Sequence, residues 1–300
     1  MRDATTKCMF KKVLCPIDFS PRSDHALQVA VRMAAKANAE LVLVHVWDLP
    51  PLISTKYPLA ADAVQLMMHD QERGLAVASR DASRLGATRV TTSLLSGVAW
   101  EQIVQLATRD TDFDLVVIGT HGRTGIARVL LGSVAERVAR HASCSVLAVR
   151  PRGDVKAFEH VLCPIDFSDS SRQAVARAAE LATPGGAGIT LFHAIELPGI
   201  YSGEKPPSDL FAEADELTDA LIEQWAADLR TKVSVPVTTL VQTGSPGALA
   251  LDVLDNDSSY DLVVVGSQGR TGLRRVLLGS VAEKIMRGAP CPVLVARGHA

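Results

Sequence analysis

Two stretches of this chain occur twice. Val13-Leu14-Cys15-Pro16-Ile17-Asp18-Phe19-Ser20 returns unchanged as Val161 to Ser168, and RVLLGSVAE, Arg128 to Glu136, returns unchanged as Arg275 to Glu283. The copies lie about 148 residues apart, too far for a solenoid unit and right for a whole domain. The chain therefore reads as two equivalent domains, residues 1–152 and 153–300. The seam is the polar run Arg150-Pro151-Arg152-Gly153-Asp154, broken by Pro and Gly as a linker is.

Within each copy, short apolar runs alternate with amphipathic ones. In the first half the runs Val13–Ile17, Leu41–Val46, Val90–Leu95, Leu115–Ile118 and Ser145–Val149 predict strands. Ser20 can cap a helix with Pro21 at its first position, and Ala26, Val29, Ala30, Met33, Ala34 and Ala37 give that helix one apolar face. Further helices are expected over Ala60–Leu85, with Gly74 its weak point, from Gly97 through Ala107, and over Val134–Ala142. The proline-rich run Asp48–Leu59 reads as a loop. The second half repeats this with strands Val161–Ile165, Ile189–His193, Val237–Val241, Leu262–Val265 and Val293–Val295, and a loop over Leu197–Pro207. Nearly continuous apolar strands alternating with helices mean parallel sheets covered on both faces. With right-handed crossovers the simplest topology is a doubly wound α/β sandwich, twice.

Ligands of such sheets bind beyond the carboxyl ends of the strands. Asp18 and Asp166 fall at that end of each first strand. At the same end of each fourth strand the apolar run breaks into glycine: Gly119-Thr120-His121-Gly122 and Gly266-Ser267-Gln268-Gly269. After nine intervening residues come Gly132-Ser133 and Gly279-Ser280, each opening an amphipathic segment. That gathers backbone N–H groups, a hydroxyl and the positive end of a helix dipole at one point, which suits phosphate. A plain strand–loop–helix turn would also use glycine; two copies with the same internal spacing favour the anion site. Arg123 and Arg270 follow the glycines and are placed to offset phosphate charge; Arg128, Arg274 and Arg275 read as solvent-facing.

Net charge is −2 and aromatic content is 4%, which argue against nucleic acid as a partner. No apolar run approaches a membrane span, and Met1–Lys12 has no signal-peptide core, so a cytoplasmic protein is expected. The five cysteines have no ligand spacing. Cys15 and Cys163 sit inside apolar strands and Cys144 and Cys291 just before the last strand of each half, so all four read as small buried apolar residues. Cys8 lies apart from them, with nothing nearby to activate it.

Pro-x-Asp-Phe-Ser after the first strand, with Gly-x2-Gly-x9-Gly-Ser after the fourth, resembles the universal stress protein family over both halves. The resemblance is to a tandem member of the ATP-binding kind. It implies a five-stranded parallel sheet of order 3-2-1-4-5 in each half, with ATP between strands one and four. It also implies dimer-like pairing of domains through the last strand, a role in stress survival or growth arrest, and no settled catalytic activity. Carried over by position, the aspartate near the adenosine falls on Asp18 and Asp166, with Pro16 and Pro164 lining the same turn. The apolar adenine contact falls on Val46 and Ala194. The phosphate-binding glycines fall on Gly119, Gly122 and Gly132, and on Gly266, Gly269 and Gly279. Ser133 with Val134, and Ser280 with Val281, complete the cradles. The second half departs twice: Ala194 is smaller than Val46, and Gln268 replaces His121.

The first reading is a regulatory protein that holds one ATP per domain as ligand rather than consumed substrate. An ATPase or phosphotransferase is the alternative. It lacks support from a Gly-x4-Gly-Lys-Ser/Thr loop or a dedicated base, and Asp18 alone is a thin ligand set for Mg²⁺. A protein-interaction module that has given up nucleotide is the third reading, and the intact glycines disfavour it. Asp18 and Asp166 have a plainer use as helix caps. His45 and His193 read as structural, and His121 is as readily a solvated loop residue as a ligand contact. A monomer with paired halves and a homodimer of such chains both remain open.

Overall fold

The structure is a computed structural model that describes residues 10–47, 61–110, 112–120, 131–150, 158–182, 188–196, 208–269 and 278–298. The chain divides into two compact units, Met1–Val155 with His299–Ala300, and Lys156–Gly298.

In the N-terminal unit, β1 (Lys12–Pro16), β2 (Glu40–Trp47), β3 (Val90–Ser96), β4 (Leu115–Gly119) and β5 (Ser145–Val149) lie in the order β3-β2-β1-β4-β5. Every pairing is parallel. Parallel neighbours need a crossover, and the helices α1 (Pro21–Ala37), α2 (Ala61–Arg84), α3 (Ala99–Arg109) and α4 (Ser133–His141) supply it. α1 packs against α2 and α3 against α4, so the sheet is covered by two helix pairs. The C-terminal unit repeats the plan with β6 (His160–Pro164), β7 (Gly188–Ile195), β8 (Val237–Thr243), β9 (Leu262–Gly266) and β10 (Val293–Ala296) in the order β10-β9-β6-β7-β8, again all parallel. Its helices are α5 (Asp169–Leu181), α6 (Ser208–Arg230), α7 (Pro246–Asn256) and α8 (Ser280–Gly288). This is the doubly wound arrangement, with the expected 3-2-1-4-5 order, in each unit.

All strands but β3 and β8 are mainly apolar because both faces are covered; β3 (VTTSLLS) and β8 (VTTLVQT) carry polar, part-exposed residues. Val13, Leu14, Leu41, Leu43, Leu115, Val116 and Val117 are all fully buried, as are Val161, Leu162, Leu191, Leu262, Val263 and Val264. Cys15, Cys144, Cys163 and Cys291 are buried thiols, as their apolar neighbours predicted. At the amino ends of the strands, Asp114 accepts from the Lys11 and Lys12 amides at 2.5 and 3.1 Å. Asp261 does the same for Glu159 and His160 at 2.6 and 3.1 Å. These carboxylates tie each fourth strand to the start of each first one. They sit at the end of the sheet away from the glycine loops.

One helix starts later than its sequence suggests. Gly97 was expected to open α3, but its φ of +120° is foreign to a helix, and the helix begins at Ala99 with Val98 as its cap residue. Gly97 instead closes the preceding strand, its N–H donating to the Trp47 carbonyl at 3.2 Å.

Candidate functional site

β1 pairs with β4, and β6 with β9, so in each unit the aspartate turn and the glycine loop share one end of the sheet. The aspartate turn is built the same way twice. The Asp18 Oδ1 accepts from the Ser20 amide at 3.1 Å and the Ser20 hydroxyl at 2.6 Å. The Asp166 Oδ1 accepts from the Ser168 amide at 3.1 Å, the Ser168 hydroxyl at 2.5 Å and the Ser171 hydroxyl at 2.6 Å. Ser20 and Ser168 are themselves the helix caps, accepting from Ser23 and Ser171 amides. The aspartates therefore orient the caps rather than cap the helices.

Between aspartate and serine the chain makes an uncommon turn. Phe19 and Phe167 have φ of +60° and +64°, the left-handed region that costs a side-chain-bearing residue roughly 1–2 kcal/mol. Each ring is held by a buried histidine from the neighbouring strand. Phe19 and His45 have ring centroids 4.4 Å apart, Phe167 and His193 4.5 Å. The same histidines bridge to the first-strand turn, His45 Nδ1 to the Ile17 carbonyl at 2.7 Å and His193 Nδ1 to the Ile165 carbonyl at 2.8 Å. Their role is to lock the turn that presents the aspartate. The repeated Asp-Phe-Ser was visible in the sequence, but nothing in it marked the phenylalanine as left-handed.

The glycine loops close on themselves. The Gly132 amide donates to the Thr120 carbonyl at 2.5 Å, and the Gly279 amide to the Ser267 carbonyl at 2.9 Å. Gly132 and Gly279, the last motif glycines, thus lie at the end of the fourth strand and at the start of α4 or α8. Gly132 and Gly279 are the cap residues of those helices and supply no side-chain cap. The first-turn amides, which belong to Ser133 and Val134 or Ser280 and Val281, are left for another acceptor.

The glycines answer to two different demands. A Cβ on Gly266 would lie 2.7–2.9 Å from Ser170 atoms, two of them backbone, and one on Gly119 would lie 3.2 Å from the Arg22 carbonyl oxygen. These two glycines are needed where the helix after the first strand, α1 or α5, passes close over the end of the fourth, with or without a ligand. A Cβ on Gly279 would meet nothing nearer than 3.6 Å, an ordinary contact, and its φ of −63° suits any residue. Packing alone does not ask for glycine there. Gly269 lies between the two cases: its Cβ would come within 3.1 Å of Asp166 Oδ2, so loop and carboxylate meet across the crevice.

In the C-terminal unit these groups line one cavity of about 600 Å³. Pro164, Asp166, Ala194, Gly266, Gly269, Gly279, Ser280 and Val281 all contribute to its wall. The volume is that of a small-molecule site, typically about 300–1,000 Å³. Its wall takes in the amide-rich start of α8, Asp166 and the apolar Phe192 and Ile195. The sequence missed the α6 contribution to this wall, Leu217, Thr218 and Leu221, because a helix between strands two and three carries no motif. In the N-terminal unit, Pro16 ends β1, Val46 lies in β2 opposite Leu95, Gly119 ends β4, and Gly132, Ser133 and Val134 open α4. Gly122, Arg123 and His121 fall outside the described residues, and so does Arg270 in the other unit. Among the described residues no three His, Cys, Asp or Glu side chains gather as a metal site.

The profile of the universal stress protein family matches residues 9–150 and again residues 157–297. The chain belongs to the universal stress protein family. A universal stress protein of Mycobacterium tuberculosis is 31% identical over 304 residues, which cover 95% of this chain and 96% of that one. A universal stress protein of Methanocaldococcus jannaschii is 34% identical over 143 residues, 47% of this chain and 83% of its own length. The crystal structure of a universal stress protein from Archaeoglobus fulgidus superposes with a TM-score of 0.67, covering 96% of this chain and 98% of that one at 19% identity, a likeness of fold. In this universal stress protein the family match takes in both aspartate turns and both glycine loops. No described helix is long and apolar enough to cross a membrane.

Proposed function

We propose that this universal stress protein binds ATP at the strand ends of each unit and acts in a stress response, with the nucleotide as regulatory ligand rather than consumed substrate. The observation that carries the reading is Gly279. Among the described residues there is room for a Cβ at this position, and its backbone angle does not require glycine, yet a glycine stands at the cap of a helix whose first turn lines the cavity. A position that the fold would allow to be larger, kept bare beside backbone amides, fits a polyphosphate drawn up to the main chain. On this reading Asp166 takes the ribose, and Ala194, which shares the cavity wall with Phe192 and Ile195, takes the base. The cradle lacks a lysine to draw charge off a terminal phosphate, as a P-loop has. The carboxylate beside it is already engaged by two serine hydroxyls. These favour holding the nucleotide over turning it over.

Calorimetry with ATP tests this. The full chain should bind, and the Gly132→Glu, Gly279→Glu double variant should lose binding while keeping its circular dichroism spectrum, because a carboxylate then occupies each cradle. Undiminished binding by the folded variant overturns the proposal. Multiple-turnover hydrolysis at about 1 per second or faster, the range of working enzymes, would make the protein an enzyme instead.

A further inference from the structure

The wall of the C-terminal cavity contributed by α6 includes two leucines that stand exposed or part-exposed. Leu217 is 67% exposed and Leu221 37% exposed, yet both line the cavity, one turn apart on the same side of the helix. They share the cavity wall with Thr218 of the same helix and with Phe192 and Ile195 of β7. Large apolar side chains left in solvent at the mouth of a cavity gain from any flat apolar group that enters it.

The N-terminal unit is built otherwise at the same place. Val90 and Val237 open β3 and β8, and Leu75 and Ile222 are the matching buried positions of α2 and α6. On that register Leu217 matches Asp70, and Leu221 matches Gly74. Gly74 is bare because Phe19 leans on it: a Cβ there would lie 2.8 Å from the Phe19 ring. In the C-terminal unit Leu221 fills that position, and Phe167 packs edge-on against Trp225 instead, with centroids 5.6 Å apart. So in both units the turn phenylalanine packs on the helix, over Gly74 in one and against Trp225 in the other, and among the described residues only in the C-terminal unit do leucines of that helix line a cavity.

We propose that Leu217 and Leu221 are specificity-determining residues of the C-terminal site. They cover the exposed face of the nucleotide base, so that α6 adds a contribution to base affinity that Asp70 and Gly74 at the matching positions of α2 do not make. The inference rests on the nucleotide reading above. Its test uses the full chain carrying Gly132→Glu, so that the C-terminal site is read alone, with ATP and inorganic tripolyphosphate as probes, the second measured by competition against ATP. Adding Leu217→Ala and Leu221→Ala should weaken ATP about tenfold and leave tripolyphosphate unchanged. Leu217→Asp, at the more exposed position, should do the same without lowering the melting temperature. Unchanged ATP affinity in both variants, or an equal loss for ATP and tripolyphosphate, overturns the proposal while the nucleotide site stands. No ATP binding before the leucines are touched overturns the nucleotide reading and this inference with it.

Discussion

Replacing Gly266 by alanine and, separately, Gly279 by alanine should give opposite results, although both glycines belong to one motif and line one cavity. At Gly266 the new methyl would sit 2.7 Å from the Ser170 hydroxyl and 2.8 and 2.9 Å from the Ser170 backbone carbon and oxygen. Carbon atoms prefer roughly 3.5–4.0 Å, so the start of α5 has to move off the strand end. Overpacking of this kind costs about 1–3 kcal/mol. Removing glycine from the unfolded chain returns about 0.4–1 kcal/mol. The net loss is about 1–2 kcal/mol, or several degrees in melting temperature. At Gly279 the methyl has ordinary contacts at 3.6 Å. The poorer cap costs roughly 0.5–1 kcal/mol, and the unfolded-chain gain offsets most of it, so the change is near zero. Gly119, at 3.2 Å from a single carbonyl oxygen, should fall between. Trp225 reports on the C-terminal unit once the other two tryptophans, Trp47 and Trp100, are replaced by phenylalanine. Urea titrations followed by its fluorescence then give the two C-terminal variants directly. Equal midpoints for Gly266→Ala and Gly279→Ala would refute the division of the motif into a packing glycine and a cavity glycine.

Two further outcomes follow from the buried and paired groups. Burial pushes the Cys15 and Cys163 thiols up to about 12, so neither should react with a thiol reagent in the native protein at pH 8, and both should react in denaturant; native labelling of either, read by mass spectrometry, would show that its strand opens. The Lys12 amine donates to the Asp110 carboxylate, which raises the lysine and holds the aspartate below its ordinary value. That depressed carboxylate contributes stability above its unfolded value of about 3.9 and loses it as pH falls through the lower folded value; the raised lysine contributes below about 10.4 and loses it as pH rises beyond. Asp110→Asn should therefore lower the urea midpoint of the N-terminal unit slightly at pH 7 and not at pH 2, with a smaller gap in high salt because the pair is part-exposed; a gap that ignores pH would exclude the ion pair as its source.

Much of the fold was legible because its signals are periodic and local. Continuous apolar runs such as Leu115–Ile118 carry the mark of strands buried on both faces, and Ser20-Pro21 writes a helix start in two letters. The strand-end site was legible for the same reason: Asp18 and Gly119 each follow such a run, and parallel order puts the two ends together. What escaped depends on contacts distant in sequence. The left-handed Phe167 is stabilised by His193, 26 positions away, and nothing local to Asp-Phe-Ser announces it. Leu217 and Leu221 read as ordinary apolar positions of an amphipathic helix. Only the register of α6 against the end of β7 turns them toward the cavity. Gly97 was misread as a helix start because the helical pattern runs on through it, whereas its positive φ is set by the turn that closes β3 onto Trp47.

The two kinds of glycine also change what the repeat is worth as an argument. A glycine that makes room for a neighbouring helix and a glycine that makes room for a ligand are the same letter at the same spacing. Gly266 would persist for its contact with Ser170 even in a chain that binds nothing, and Gly119 for its contact with Arg22. The first glycine of each loop therefore adds nothing to the case for an anion, however often it recurs. The weight falls on the last. Gly279 has a backbone angle open to any residue, a neighbourhood open to a methyl, and a helix start in need of an acceptor. Gly132 shares the angle and the helix start, with φ of −63° and no side-chain cap. A bare cap in both units, where serine or aspartate would stabilise the helix at least as well, is difficult to explain from the fold alone. It follows directly if those amides are kept for a ligand's negative charge.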